Sequence, residues 1–112
     1  MSAYVIATLR DLEMNSGIAE YARRIDDTLD AFGGRFLVHG GPVEEVEGAW
    51  HGSLLVVLEF PDMNTARSWY ASPGYQDILS FRTDNCVGEV IFTQGVPDGY
   101  RAVTIANMIG AS

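Results

Sequence analysis

The chain has 112 residues, 47% of them hydrophobic, and a formal net charge of −8. This is one domain with ample material for a core, and its acidity repels the phosphates of nucleic acid. No run of about 18 apolar residues is present to cross a bilayer as a helix. The lone cysteine, Cys86, rules out an internal disulfide and fits a reducing cytoplasm. Every basic residue is an arginine, so Schiff-base chemistry on a lysine side chain is excluded.

The segment Met1 to Leu9 is apolar but meets Arg10 and Asp11 at once and lacks a basic leader, so it reads as a first strand, Tyr4 to Leu9, not a signal peptide. From about Ser16 to Phe32, the apolar residues Ile18, Tyr21, Ala22, Ile25, Leu29 and Phe32 form a stripe of helical period. Gly33 and Gly34 end that helix. Arg35 to His39 is a second strand, followed by a loop carrying Glu44, Glu45 and Glu47, and Ser53 to Phe60 is a third. Asp62 is placed to cap a helix whose apolar face holds Met63, Ala66, Trp69 and Tyr70. Ser72 followed by Pro73 opens a further helix, with Tyr75, Ile78, Leu79 and Phe81. Val87 to Gln94 is the fourth strand, and beyond Pro97 runs an apolar tail.

The order β-α-β-β-α-β predicts an α+β, ferredoxin-like fold with a four-stranded antiparallel sheet. Helices on one side leave the other sheet face bare, yet Leu54 to Leu58 is apolar without a break. Two sheets packed face to face would cover it, which predicts a homodimer of the dimeric α/β-barrel type. The division is a domain over residues 1–96 and a C-terminal tail over 97–112, expected as an extra strand or a dimer clasp, with a disordered tail the alternative.

Strand alternation puts Arg35, Leu37 and His39 on one face and Phe36 and Val38 on the other. Glu59 shares a face with Leu55 and Val57, Thr8 with Tyr4 and Ile6, and Glu89 with Ile91 and Thr93. The purely apolar faces are expected against the helices. The mixed faces are expected to line the barrel, where a small-molecule ligand would sit.

The stretches Gly33-Gly-Arg-Phe-Leu-Val-His-Gly-Gly41, Val56-Val-Leu-Glu-Phe-Pro61 and Trp69-Tyr-Ala-Ser-Pro-Gly-Tyr-Gln76, with Arg82 downstream, resemble domain-of-unknown-function family 1330 (DUF1330) of the dimeric α/β-barrel superfamily. The resemblance covers roughly residues 4 to 96. The family pattern usually has an arginine at His39 and often a glutamate at Gly74. The resemblance implies the fold and the dimer. It implies no single activity, because the superfamily spans cofactor-independent monooxygenases, cyclases, isomerases, haem-degrading enzymes and binding proteins.

His39 is the candidate general acid or base, its ordinary pKa being suited to proton transfer near neutrality; the plain alternative is an unreactive strand-end histidine. Glu59 is its candidate catalytic partner, or else an ion-pair partner of Arg35 across the hairpin. Arg35 and Arg82 are candidates to grip a carboxylate or enolate oxygen, with surface pairing the simpler reading of Arg82. Thr8, Trp69, Tyr70 and Tyr75 are candidate substrate contacts, although aromatics at helical spacing serve equally as core. No metal site is expected, since the two histidines share no ligand spacing with cysteines or carboxylates.

The reading these residues favour is a cofactor-independent enzyme acting on a small, partly apolar molecule, aromatic or polyketide-like, by proton transfer: an isomerase, cyclase or lactone-forming enzyme. The alternatives are a non-catalytic binding protein of the same fold and a monooxygenase, cofactor-free or haem-dependent.

Overall fold

The computed structural model describes residues 1–110. Four strands, β1 (Ala3–Arg10), β2 (Arg35–His39), β3 (Leu54–Phe60) and β4 (Val87–Gln94), form one antiparallel sheet in the order β2-β3-β1-β4. Helix α1 (Ser16–Asp30) joins β1 to β2, and α2 (Met63–Ala71) with α3 (Pro73–Thr83) joins β3 to β4. This is the ferredoxin-like arrangement.

Side-chain caps set the helix starts. Asn15 Oδ1 accepts from the Ile18 amide of α1 at 3.2 Å, and Asp62 Oδ1 accepts from the Thr65 amide of α2 at 2.7 Å. Ser72 ends α2 in extended conformation and caps α3 through its hydroxyl, with Pro73 in the first turn. Helix α1 stops at Asp30, earlier than the apolar stripe predicts. Gly33 turns the chain with φ 67°, and the Gly34 amide donates back to Leu29 O at 3.0 Å.

The core lies between the sheet and α1 to α3. Ala3, Val5, Leu58 and Phe60 from the sheet meet Ile25, Leu29, Ala66, Trp69, Tyr75 and Ile78 from the helices. Gly34 belongs to this packing: a Cβ there would lie 2.6 Å from the Phe60 ring.

Two expectations are corrected. Among its described residues the tail adds no strand: Val103–Gly110 forms a helix, α4, exposed along its whole length. Strict alternation also fails in β2. Phe36 pairs with Leu58, but Val38 pairs with Val57 and His39 with Val56, so the register slips by one residue at Leu37. Such a bulge reverses the facing of everything beyond it. His39 therefore stands on the helix side, its ring stacked on Phe36 at 4.3 Å between centroids.

Candidate functional site

The outer face of the sheet, opposite the helices, is held by ion pairs. Arg35 contacts Glu59 Oε1 through Nη2 at 2.7 Å and Nε at 2.9 Å, because the two residues sit directly opposite each other in β2 and β3. Tyr4 Oη reaches Glu59 at 3.4 Å from β1. Near the other end of β1, Arg10 contacts Glu89 at 2.6 Å and Thr8 Oγ1 donates to Glu89 at 3.3 Å. The hydrogen bond from Arg35 holds the Glu59 carboxyl below the usual carboxylate range, and Arg10 does the same for Glu89. Both carboxylates are committed to arginines.

His39 and Glu59 thus occupy opposite faces of one sheet, and the expected acid–base dyad does not assemble within the chain. Thr8 and Arg35 face away from His39 as well. The register slip at Leu37 is the cause.

The helix side holds the cavity. A recess of about 60 Å³ lies between the sheet and the helices, lined by Phe36 and His39 of β2, Tyr21 of α1, Trp69 and Tyr70 of α2, and Tyr75 and Arg82 of α3, over a floor of aliphatic strand residues. Trp69 is 2% exposed and donates its indole N–H to Thr28 Oγ1 at 3.0 Å, so it is a core residue that presents one face to the recess. Tyr70 packs edge-on to Phe92 and tilted to Tyr75. His39 is exposed and stands at the mouth.

The polar groups of this apolar recess converge. The hydroxyls of Tyr21 and Tyr75 are 2.7 Å apart, and Arg82 lies over the Tyr21 ring at 5.9 Å from its centroid. Arg82 is only 7% exposed, which corrects its reading as a surface residue. Among the described residues, no carboxylate lies within ion-pair distance of it. Burial works against its charge, and Tyr75 and Tyr21 work for it most strongly once ionised, the balance holding the guanidinium above its ordinary range. Burial, aided by Tyr75, raises the Tyr21 phenol as well, so it stays a neutral donor. Glycine at position 88 gives the arginine room: a Cβ there would lie 3.4 Å from Arg82 Nη1 and 2.7 Å from Leu9 Cδ2. A permanently charged, buried donor with no acid of its own, beside two hydroxyls, is suited to receive an anionic oxygen.

Residues 2–96 match the family model described as domain of unknown function DUF1330. The chain belongs to this family. The DUF1330 match ends before α4, which is therefore an addition to the family domain.

No curated protein matches the chain. Solved structures share the DUF1330 fold at low identity. A protein of unknown function from Rhodopseudomonas palustris is 16% identical, with TM-score 0.65 over 86% of this chain and 83% of its own. A protein from Jannaschia sp. CCS1, described as a dimeric ferredoxin-like protein of unknown function, is 13% identical, with TM-score 0.65 over 85% of this chain and 100% of its own. SnoaB from Streptomyces nogalater, described as a cofactor-independent oxygenase, is 13% identical, with TM-score 0.55 over 89% of this chain and 96% of its own.

Of the candidates read from sequence, His39, Trp69, Tyr70, Tyr75 and Arg82 meet at this recess, and Thr8, Arg35 and Glu59 do not. Tyr21 was not singled out by its sequence, being one member of the α1 stripe. A signal exists: a hydroxyl on an apolar stripe needs a buried partner, and Tyr75 supplies it. Arg82 carries a similar signal. It lies seven residues after Tyr75 and four after Ile78, on the face that α3 turns to the core.

Proposed function

We propose that this DUF1330 protein is a cofactor-independent enzyme that binds a small, partly apolar molecule in the helix-side recess and moves a proton on it. The observation that carries this reading is Arg82, buried without a carboxylate beside the Tyr21–Tyr75 hydroxyl pair. These groups take the oxygen of an enol, phenol or carbonyl and stabilise its negative charge as it develops. His39 at the mouth accepts the proton from the substrate and returns it at another atom, which gives isomerisation or ring closure with no net change in protons. The aromatic walls hold the apolar body and exclude water. Glu59 and Arg35 have no part in the chemistry; they order the outer face.

A cofactor-free oxygenation is the second reading, favoured by the likeness of fold to SnoaB. A phenolate held by Arg82 would itself reduce dioxygen, one oxygen atom entering the ring as a quinone carbonyl and the other leaving as water.

The protein acts as a homodimer whose outer sheet faces meet. Ile6, Leu55, Val57 and Ile91 lie on that face, and Ile91 is 56% exposed in the single chain. The Jannaschia protein of like fold is described as dimeric. The single thiol, Cys86, fits a cytoplasmic setting.

The test is proton exchange in D2O, followed by NMR on a panel of small phenols and enolisable acids that bind the protein. The expected result is deuterium entry into a bound compound that the His39→Ala variant abolishes without loss of binding. Binding with no exchange in either protein would leave a non-catalytic binding protein. Oxygen uptake dependent on the same compound would select the oxygenase reading.

A further inference from the structure

Helix α4 is an apolar arm that, among the described residues, joins no part of the buried core. Every residue from Arg101 to Gly110 is exposed, with Val103 at 59%, Ile105 at 48% and Met108 at 70%. An eight-residue helix is too short to hold itself in water, and helices of this length persist by packing. The chain is also extended for its size. Its radius of gyration is 16.5 Å, against about 13 Å for a compact domain of this length.

The route to the arm shows which side of the molecule it serves. The Gly95 amide donates to Ser2 O at 2.8 Å, and Gly95 lies against the Tyr4 ring. Val96, Pro97 and Asp98 border one recess with Tyr4 and Glu59. Tyr4 and Glu59 belong to the outer sheet face, so the chain leaves the domain at the rim of the surface that has no helix over it. The arm is therefore tethered at the edge of the bare sheet face.

The composition of the arm narrows the occupant. From Val103 to Gly110 it carries no charged residue. It offers nothing to nucleic acid and no cation to an anionic membrane surface, and the chain's net charge of −8 opposes both. A second copy of the chain brings the same face, with an apolar strip of Ile6, Leu55, Val57 and Ile91 between two ion pairs, for an uncharged arm to pack against.

We propose that α4 is a dimer clasp: the arm of each protomer crosses the rim of the outer face and packs Val103, Ile105 and Met108 on its partner. The inference rests on the face-to-face dimer proposed above. A two-fold arrangement uses both arms alike, so the contact is made twice and closes.

Sedimentation velocity over a concentration series tests it with three proteins: the full chain, a chain ending at Asp98, and an Ile105→Asp/Met108→Asp double variant of full length. The arm is exposed, so far-UV circular dichroism should show all three folded. The expected result is a dimer of the full chain whose dissociation constant rises at least about tenfold in both variants. Equally tight dimers of all three would overturn the clasp and leave the face-to-face dimer standing. A monomeric full chain would overturn both. A looser dimer on truncation alone, with the double variant unchanged, would also overturn the clasp, because the apolar contacts would not be what holds it.

Discussion

The hydroxyls of Tyr21 and Tyr75 meet at 2.7 Å, although 54 positions separate them in sequence, and they do so beside the buried Arg82. That contact ties α1 to α3 in the lining of an otherwise apolar recess. It is a structural bond and a binding group together. Removing either hydroxyl leaves the other without its partner in a half-buried place. Tyr21→Phe is expected to lower stability by about 1 kcal/mol, read from urea unfolding. Tyr75→Phe should cost a similar amount, and the double variant less than the sum, because the two singles break the same bond. A fully additive double variant would show that the hydroxyls do not act as a pair.

Arg82 is expected to separate stability from binding. A buried guanidinium without a carboxylate gains little for the fold, since its desolvation opposes its contacts. Arg82→Met keeps the aliphatic stem and removes the charge. Its unfolding free energy should stay within about 1 kcal/mol of the parent. Its affinity for a phenolate or carboxylate ligand should fall by about tenfold or more, measured by calorimetry. A large loss of stability with binding intact would make Arg82 a structural residue and remove the anion site.

Much of the scaffold was legible in the sequence because local signals agreed with global packing. Asp62 and Ser72 announce their helices, and the structure shows both caps. The two-residue period of β3 placed Glu59 away from the helices, where Arg35 meets it. The site was less legible for one physical reason. A strand pattern reports facing only while the register holds, and nothing in Phe36-Leu37-Val38-His39 marks the slip at Leu37. One extra residue moved His39 from the face of Glu59 to the face of Tyr75. Arg82 was hidden differently: charge outweighed its position in the apolar spacing of α3, and only the tertiary fold shows hydroxyls there to receive it.

Gly34 sits where Phe60 of the sheet and Leu29 of α1 crowd the turn after that helix. A Cβ at that position would lie 2.6 and 2.8 Å from ring carbons of Phe60 and 3.0 Å from Leu29. Phe60 is 1% exposed, so its ring has little room to retreat. Gly34→Ala is therefore expected to destabilise by about 1–3 kcal/mol through overpacking. A Gly34→Ala/Phe60→Leu double variant should recover part of that loss, which thermal unfolding of the two would show. No recovery would mean that the cost lies in the backbone turn after α1 and not at the ring.

The outer-face ion pairs set an acid limit. The hydrogen bonds from Arg35 and Arg10 hold the Glu59 and Glu89 carboxyls below the ordinary value for glutamate, which is about 4.3. A carboxyl whose pKa is lower folded than unfolded adds stability that is fully present above the unfolded value. That stability is lost as the pH falls through the folded value. The pairs should therefore contribute a constant amount from neutrality down to about pH 5 and progressively less below it. In the single chain Glu59 is half-buried and the other three side chains are exposed, so the amplitude is small and screened by salt there, and the screening weakens where the dimer covers the pairs. Urea midpoints measured at fixed protein concentration should fall less steeply below pH 5 in a Glu59→Gln/Glu89→Gln variant than in the parent. Added salt should flatten the parent in the same way. Parallel curves for the two proteins would assign the acid sensitivity to other carboxylates, since the pairs would then contribute equally in the protonated and ionised states.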